Sequence, residues 1–164
     1  MPITTGLLTS ERGDWETPQE IFSLCDAEFR FDLDVCAKAC NAKCARYFTP
    51  EIDGLAQEWR GRCWMNPPYG REIGRWMKKA WLSAQTTADV VVCLVPAMTD
   101  TAWWHEWAVR GEIRFLRKRV RFVGAKSSAP FPSALVVFRR RWWDAGNEVD
   151  SDIDLQAGGV PCSP

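Results

Sequence analysis

An unbroken run of apolar residues, Val90 to Val95 (VVVCLV), restricts the fold of this chain more than any other feature. β-Branched residues without polar alternation are typical of a strand that is buried on both faces of a sheet. Pro96 ends the run, since proline has no backbone N–H for the sheet ladder. The run therefore predicts a central strand in a sheet that is covered on both sides.

Helical and strand patterns alternate along the rest of the sequence, and two adjacent strand patterns close it. This order predicts an α/β sheet that is largely parallel, with an antiparallel edge strand. Ligands bind such sheets at the carboxyl ends of the strands, so Asp34, Asn66 and Pro96 are expected at one rim. The predicted strands are 29–35, 63–65, 90–95, 112–122 and 133–138, and the predicted helices start at 17 or span 36–46, 72–84 and 101–109.

The first helix has a well-marked start. Thr17 can cap it through the hydroxyl oxygen, Pro18 suits the first helical position, and Glu20 completes a capping box. The pattern therefore predicts Thr17 as the capping residue of this helix.

Length and composition predict one domain, 14–143, between a flexible leader, 1–13, and an acidic, disordered tail, 144–164. The 21 basic and 21 acidic residues give a net charge of zero, which argues against strong non-specific nucleic-acid binding over the whole surface. No apolar run is long enough for a transmembrane helix, and residues 1–14 lack a secretion signal. A cytoplasmic protein without membrane contact is therefore predicted.

Seven cysteines are present, and in a chain without a secretion signal reduced thiols are expected. Cys36, Cys40 and Cys44 are spaced four residues apart and would share one face of a helix. No CxxC or HxxH pattern occurs, and the only histidine is His105. The sequence therefore favours small buried thiols over a metal site.

Asn66-Pro67-Pro68-Tyr69 is the stretch that carries chemical information. The two prolines end the preceding strand and keep the backbone extended, so Asn66 is presented at a strand end with an aromatic ring beyond it. An amide oxygen, a proline carbonyl and a ring can together hold a planar substrate that carries an amino group. The stretch therefore indicates chemistry on the amino group of a base or an amide.

An ordered series of motifs resembles the bacteriophage-type, Dam-like family of DNA N6-adenine methyltransferases, which use S-adenosylmethionine. The similarity covers residues 14–139 and runs through WETP (15–18), FDLDVCA (31–37), NAKC (41–44), YFT (47–49), DGL (53–55) with Trp59, NPPY (66–69), LVPA (94–97) and PSALVVF (132–138). The resemblance implies a Rossmann-like methyltransferase sheet and methyl transfer to the N6 amino group of adenine in DNA. It also implies a bacterial host cytoplasm and a part in protection from restriction.

The resemblance assigns roles to individual residues. The Asn66 side-chain oxygen and the Pro67 carbonyl would accept hydrogen bonds from the adenine amino group, and Tyr69 would stack on the flipped base. Carboxylates also suit the ammonium and hydroxyl groups of the cofactor, and no metal is required. The predicted cofactor contacts are Thr17, Pro18, Asp32, Asp34, Ala37, Asp53 and Asn66.

The cofactor half of the sequence departs from the broader methyltransferase pattern. The usual glycine-rich turn after the first strand is replaced by residues 37–40 (AKAC), and only residues 35–65 separate Asp34 from Asn66. The predicted sheet is therefore trimmed.

Alternating apolar and basic residues at 112–122 predict a strand with one cationic face, which suits contact with DNA phosphates. Its basic residues are Arg114, Arg117, Lys118, Arg119 and Arg121. Two alternatives stay open: a methyltransferase of RNA bases or protein glutamine, and a non-catalytic DNA-binding module with the same fold. The basic strand favours nucleic acid as the substrate, and the intact NPPY motif favours catalysis.

Overall fold

The apolar run forms β4 (Ala88–Pro96), an inner strand of a six-stranded sheet in the computed structural model, which describes residues 15–140. The predicted leader and acidic tail lie outside the described residues. The other strands are β1 (Leu33–Asp34), β2 (Arg46–Tyr47), β3 (Gly61–Met65), β5 (Glu112–Phe115) and β6 (Ser133–Arg139). The helices are α1 (Gln19–Phe29), α2 (Ile73–Thr86) and α3 (Ala102–Glu106), and a 3-10 helix, Ala108–Arg110, follows α3.

The strand order across the sheet is β2-β1-β3-β4-β6-β5. The first four strands are parallel, whereas β6 is antiparallel to both of its neighbours. The predicted α/β class and the mostly parallel sheet with an antiparallel portion are confirmed. The edge strand β5 pairs antiparallel with β6, and β6 itself lies one place inside the edge. Residues Ser133–Phe138 of β6 are all buried, so this strand needs a partner on each side, and the partly exposed β5 forms the edge.

Both faces of the sheet are covered, as β4 predicts. Val91, Cys93 and Val95 pack with α2 and α3, and alternate residues such as Val92 and Leu94 pack with α1 on the other face. Residues between β5 and β6 complete the second cluster. The core thus holds the carboxyl ends of β1, β3 and β4 in fixed relative positions. No helix in the described part of the chain is long and apolar enough to span a bilayer.

The predicted helix 36–46 is wrong. The segment forms turns and a loop that lead into β2, because groups outside the segment bind its backbone. The Asp34 carboxylate accepts hydrogen bonds from the backbone N–H groups of Cys36 and Lys43, and the Ala37 N–H donates to the Phe48 carbonyl. Spacing among small residues could not reveal these partners.

Two predicted strands are shorter than expected. The pattern 29–35 yields only β1, because Phe29 ends α1 and Arg30 caps that helix in the left-handed conformation at φ 54°. The pattern 112–122 yields only β5, and the chain then leaves the sheet. Residues 116–132, named here the rim loop, connect β5 to β6.

Candidate active site

A cavity of about 160 Å³ lies at the carboxyl ends of β1 and β3. β1 pairs with β2 on one side and with β3 on the other, so the strand order reverses at β1. Such a reversal is where open α/β sheets bind ligands. The cavity lining includes six of the predicted site residues: Thr17, Asp34, Ala37, Asp53, Asn66 and Pro67.

Asn66 follows β3 directly, and its amide is held by the segment that precedes α1. The Asn66 Nδ2 group donates one hydrogen bond to the Trp15 carbonyl at 2.5 Å and one to Thr17 Oγ1 at 2.9 Å. These bonds join residues 51 and 49 positions apart. The helix α1 has no side-chain cap, so the predicted capping role of Thr17 is wrong. The hydroxyl oxygen accepts from Asn66 instead.

The acceptor end of the same amide has no partner. Asn66 Oδ1 is buried and makes no hydrogen bond among residues 15–140. The amide cannot be turned over, because the Trp15 carbonyl only accepts and would then face Oδ1 with no hydrogen between them. A buried acceptor without a partner is costly, so this oxygen is suited to a donor supplied by a ligand.

The two prolines after Asn66 differ in exposure. Pro67 is buried and Pro68 is exposed, and within residues 15–140 the Pro67 carbonyl accepts no hydrogen bond. Asn66 and Pro67 therefore offer two free acceptor oxygens in sequence at the end of β3.

Tyr69 lies beside the cavity, between the two core clusters. Its hydroxyl donates to the Leu94 carbonyl at 3.2 Å, and its ring meets Phe122 and Phe131 edge-on at 5.6 to 6.0 Å between centroids. Burial raises the pKa of the Tyr69 hydroxyl well above its ordinary value, so the group stays a donor. The half-buried ring is thereby fixed in orientation, and stacking on a base stays a prediction.

Asp34 ends β1 and is 3% exposed. Burial raises the pKa of its carboxyl, and the backbone N–H groups of Lys43 and Cys36 oppose that shift. Each carboxylate oxygen has a further lone pair, so Asp34 can hold the loop and still accept from a ligand.

Two of the predicted cofactor residues do not line the cavity. Asp32 precedes β1, and its carboxylate forms a two-pronged salt bridge with Arg62 at 2.7 and 2.9 Å. Hydrogen bonding to Arg62 lowers the pKa of the Asp32 carboxyl. Asp32 therefore lies outside the cavity that Asp34 lines, and a cofactor contact by Asp32 stays a prediction. Pro18 acts through its carbonyl, which accepts the first hydrogen bonds of α1.

Two charged residues that were not among the predicted cofactor contacts also line the cavity. Glu16 and Lys43 both line it and lie 3.9 Å apart, and the Lys43 side chain is 11% exposed. Both residues fall within the WETP and NAKC motifs, so the motifs themselves carried the signal. The cavity thus presents a cation and an anion side by side, next to Asp34.

Gly54 closes the wall of the cavity behind β1. A Cβ atom at this position would lie 2.1 Å from the Val35 carbonyl oxygen and 3.2 Å from the Trp76 ring. The Gly54 carbonyl also accepts from Trp59 Nε1 at 2.7 Å. Asp53 precedes it in the left-handed conformation at φ 57°, and its carboxylate accepts from the Leu55 N–H. The DGL motif is therefore a tight turn that needs glycine for close backbone approach.

Arg114 is engaged in ion pairs, so its contact with a DNA phosphate stays a prediction. Its guanidinium binds Glu28 at 2.6 and 2.9 Å and Glu112 at 2.6 Å, and it lies over the Phe29 ring. Hydrogen bonding to Arg114 is the largest cause that lowers the pKa of both glutamates. This arginine fastens α1 to β5, and its positive charge is compensated by Glu28 and Glu112.

The other predicted basic residues lie on the rim loop. Val120 and Phe122 are buried, so the apolar and basic alternation persists although no strand forms. Because β5 is parallel to β4, the loop leaves the sheet at the same rim as Asn66. Its exposed cations are Arg117, Lys118, Arg119, Arg121 and Lys126.

The six cysteines within residues 15–140 are free thiols. Among residues 15–140, no group of three His, Cys, Asp or Glu side chains could hold a metal ion. Burial raises the pKa of Cys44 and Cys63 to about 12. The protonated form that results is a poor ligand and a poor nucleophile.

Comparisons with known proteins show the family of this chain. A protein-family model described as DNA N-6-adenine-methyltransferase (Dam) matches residues 4–155. The DNA N-6-adenine-methyltransferase of Haemophilus phage HP1 (strain HP1c1) is 31% identical over 140 residues, which cover 79% of this chain and 80% of that relative. The DNA N-6-adenine-methyltransferase of Escherichia phage T1 is 30% identical over 95 residues, which cover 56% of this chain and 39% of that relative.

The family match includes all the motifs on which the resemblance was based. The predicted DNA adenine methyltransferase is thereby confirmed, and the non-catalytic alternative is set aside. The chain belongs to the DNA N-6-adenine-methyltransferase (Dam) family.

Proposed function

We propose that this cavity binds S-adenosylmethionine and that Asn66 presents the N6 amino group of a DNA adenine to it. The observation that carries the proposal is the buried, unpartnered Oδ1 of Asn66 at the reversal point of the sheet. An exocyclic amino group is a hydrogen-bond donor and therefore supplies what this oxygen lacks. The adjacent Pro67 carbonyl can accept the second amino hydrogen.

Two fixed acceptors favour reaction at nitrogen. The lone pair of the adenine amino group is delocalised into the ring, which makes the group a poor nucleophile. Acceptors that do not move stabilise the positive charge that develops on N6 as it is methylated, at no reorganisation cost. Asn66 and Pro67 also fix the direction from which N6 approaches.

The residues of the cavity fit the methyl donor. S-Adenosylmethionine would supply an electrophilic methyl group on a sulfonium sulfur, which keeps the electron pair of the broken S–C bond. The methylated N6 then loses one proton to solvent. Its amino-acid end carries one carboxylate and one ammonium. Lys43 would meet the carboxylate, and Glu16 and Asp34 would meet the ammonium. Asp53 and Ala37 line the remaining part of the cavity.

We further infer that the sheet is a Rossmann-like methyltransferase sheet. The reversal at β1, the ligand cavity above it and the inserted antiparallel β6 support this inference. β1 and β2 have two residues each, as expected for a trimmed sheet. Since relatives come from phages of bacteria, we place the activity in the bacterial cytoplasm.

The defining experiment is incubation of the protein with labelled S-adenosylmethionine and unmethylated DNA, followed by mass analysis of the nucleosides. We expect N6-methyladenine. Label in N4-methylcytosine, or label only when RNA or protein replaces DNA, would contradict the proposal.

The rim loop is the proposed phosphate contact. We expect the double variant Arg117→Gln/Arg119→Gln to flatten the salt dependence of DNA binding by about two log–log units, because each lost phosphate contact removes about 0.9. Binding would be followed by fluorescence anisotropy over a salt series.

A matched control is Arg60→Gln/Lys79→Gln, which removes the same charge near the amino end of β3. Lys79 lies over the ring of Trp59, next to Arg60. This control should leave the slope nearly unchanged. Equal slopes for the two double variants would remove the rim loop from the DNA interface.

A further inference from the structure

We propose that Thr17 is a positioning residue for Asn66: its hydroxyl oxygen holds the catalytic amide so that Oδ1 points to the substrate amino group. The inference rests on the proposed function of Asn66. It differs from a cofactor contact, because it predicts an effect on the methyl-transfer step rather than on cofactor affinity.

The hydrogen-bond inventory of the amide supports this role. Asn66 Nδ2 has two hydrogens, and both are used, one by the Trp15 carbonyl and one by Thr17 Oγ1. The carbonyl decides which end of the amide is nitrogen, since a hydroxyl could pair with either end. Thr17 supplies the second hydrogen bond, and two hydrogen bonds are needed to fix the rotation of the amide plane.

Thr17 is itself rigidly held. It is 4% exposed, and no side-chain bond caps α1, so the hydroxyl oxygen is not shared with the helix end. The segment before it is fastened to the rim loop: Val123 N–H donates to the Glu16 carbonyl at 3.0 Å, and the Trp15 ring contacts Phe122 at 5.1 Å. A support that is held in this way can restrict the motion of the group that it binds.

The two hydrogen bonds from Asn66 Nδ2 to Trp15 and Thr17, named here the clamp, are thereby connected to the rim loop. The rim loop carries the exposed cations proposed to meet DNA, and it also packs on the segment that holds Asn66. The clamp therefore lies between the DNA-contacting loop and the reacting amide. The clamp should stabilise the transition state of methyl transfer, once N6 is bound beside Asn66. Loss of the clamp should therefore lower kcat.

Thr17→Val is the direct test, because it replaces the hydroxyl by a methyl group of similar size. We expect kcat to fall about tenfold to hundredfold, since small misplacements of a reacting group have effects of this order. The KM for the donor, and its Kd from a titration without DNA, should stay within about threefold, as a loss confined to the transition state requires. Thr17→Ser, which keeps the oxygen, should restore kcat to within about threefold of wild type.

Thermal unfolding of each variant shows whether it is folded, and Thr17→Ala replaces Thr17→Val if the latter is not. A variant without the hydroxyl that keeps wild-type kcat, or that loses only donor affinity, would overturn the proposal. Failure of the serine variant to restore kcat would also overturn it. If wild-type protein forms no N6-methyladenine, the proposed function fails; if it does and Thr17→Val turns over normally, only this inference fails.

Discussion

Alanine at position 66 is expected to lower the rate of methyl transfer by a factor of about 100 to 1,000, the usual effect of removing one fixed polar group that faces developing charge. The substitution removes Oδ1, the buried acceptor without a partner, and leaves the Pro67 carbonyl as a single acceptor. Donor affinity should change by no more than a few-fold, because Asp34, Lys43 and Glu16 remain. Single-turnover rates with labelled donor would measure the first effect, and titration of the donor the second.

Gln85→Ala is the matched control for this variant. It removes an amide of the same chemistry from α2, where Gln85 Nε2 donates to the Arg139 carbonyl, outside the cavity. Its turnover should equal that of wild type. Turnover of Asn66→Ala at the level of this control would exclude Asn66 as the residue that holds the amino group.

Gly54→Ala is expected to cost about 1 to 3 kcal/mol of folding free energy, the usual range for forcing atoms into a packed interior. The added Cβ would lie 2.1 Å from the Val35 carbonyl oxygen, so backbone has to move. Val35 follows Asp34, and the shift would therefore displace the carboxylate at the end of β1. Urea unfolding would measure the stability, and donor titration should show weaker binding.

Gly74→Ala separates this steric effect from a general effect of replacing glycine. Gly74 lies in the first turn of α2, and a Cβ there would be 3.3 Å from the Trp103 Cβ, an approach that a small adjustment relieves. Alanine also favours the helix by up to about 1 kcal/mol. The expected net change is small, and an equal loss in both variants would contradict the close-approach argument for Gly54.

Local sequence patterns predicted those helices and strands that pack against a continuous hydrophobic surface. β4 is apolar from Val90 to Val95 and β6 from Ala134 to Phe138. α2 places Trp76, Met77 and Ala80 on one face, so the apolar pattern alone is sufficient to identify these elements. The prolines after Met65 and Val95 mark the ends of β3 and β4 in the same direct way. The rim with Asp34 and Asn66 followed from the order of these elements.

The failures occur where a polar group bonds a partner that the local helical or strand pattern does not supply. Thr17 has the features of a helix cap, yet its oxygen is taken by Asn66, 49 residues away. The segment after Asp34 has helical spacing, but the Asp34 carboxylate draws its backbone into a loop. Arg114 resembles its basic neighbours in sequence, and only the fold places Glu28 beside it. Such competition between local and distant partners cannot be inferred from spacing.

The rim loop has its two ends joined: the Leu116 N–H donates to the Ser133 carbonyl at 3.1 Å. Most of the loop is anchored by buried residues such as Phe122 and Phe131, but residues 126–128 are exposed. This exposed part can change in length and composition at little cost to the sheet, because loop entropy grows only slowly with length. We expect relatives that methylate a different DNA sequence to differ at residues 126–128 on an unchanged catalytic rim. For protein engineering, this loop is a natural position for grafting a new specificity, provided that the aromatic anchors Phe122 and Phe131 are retained.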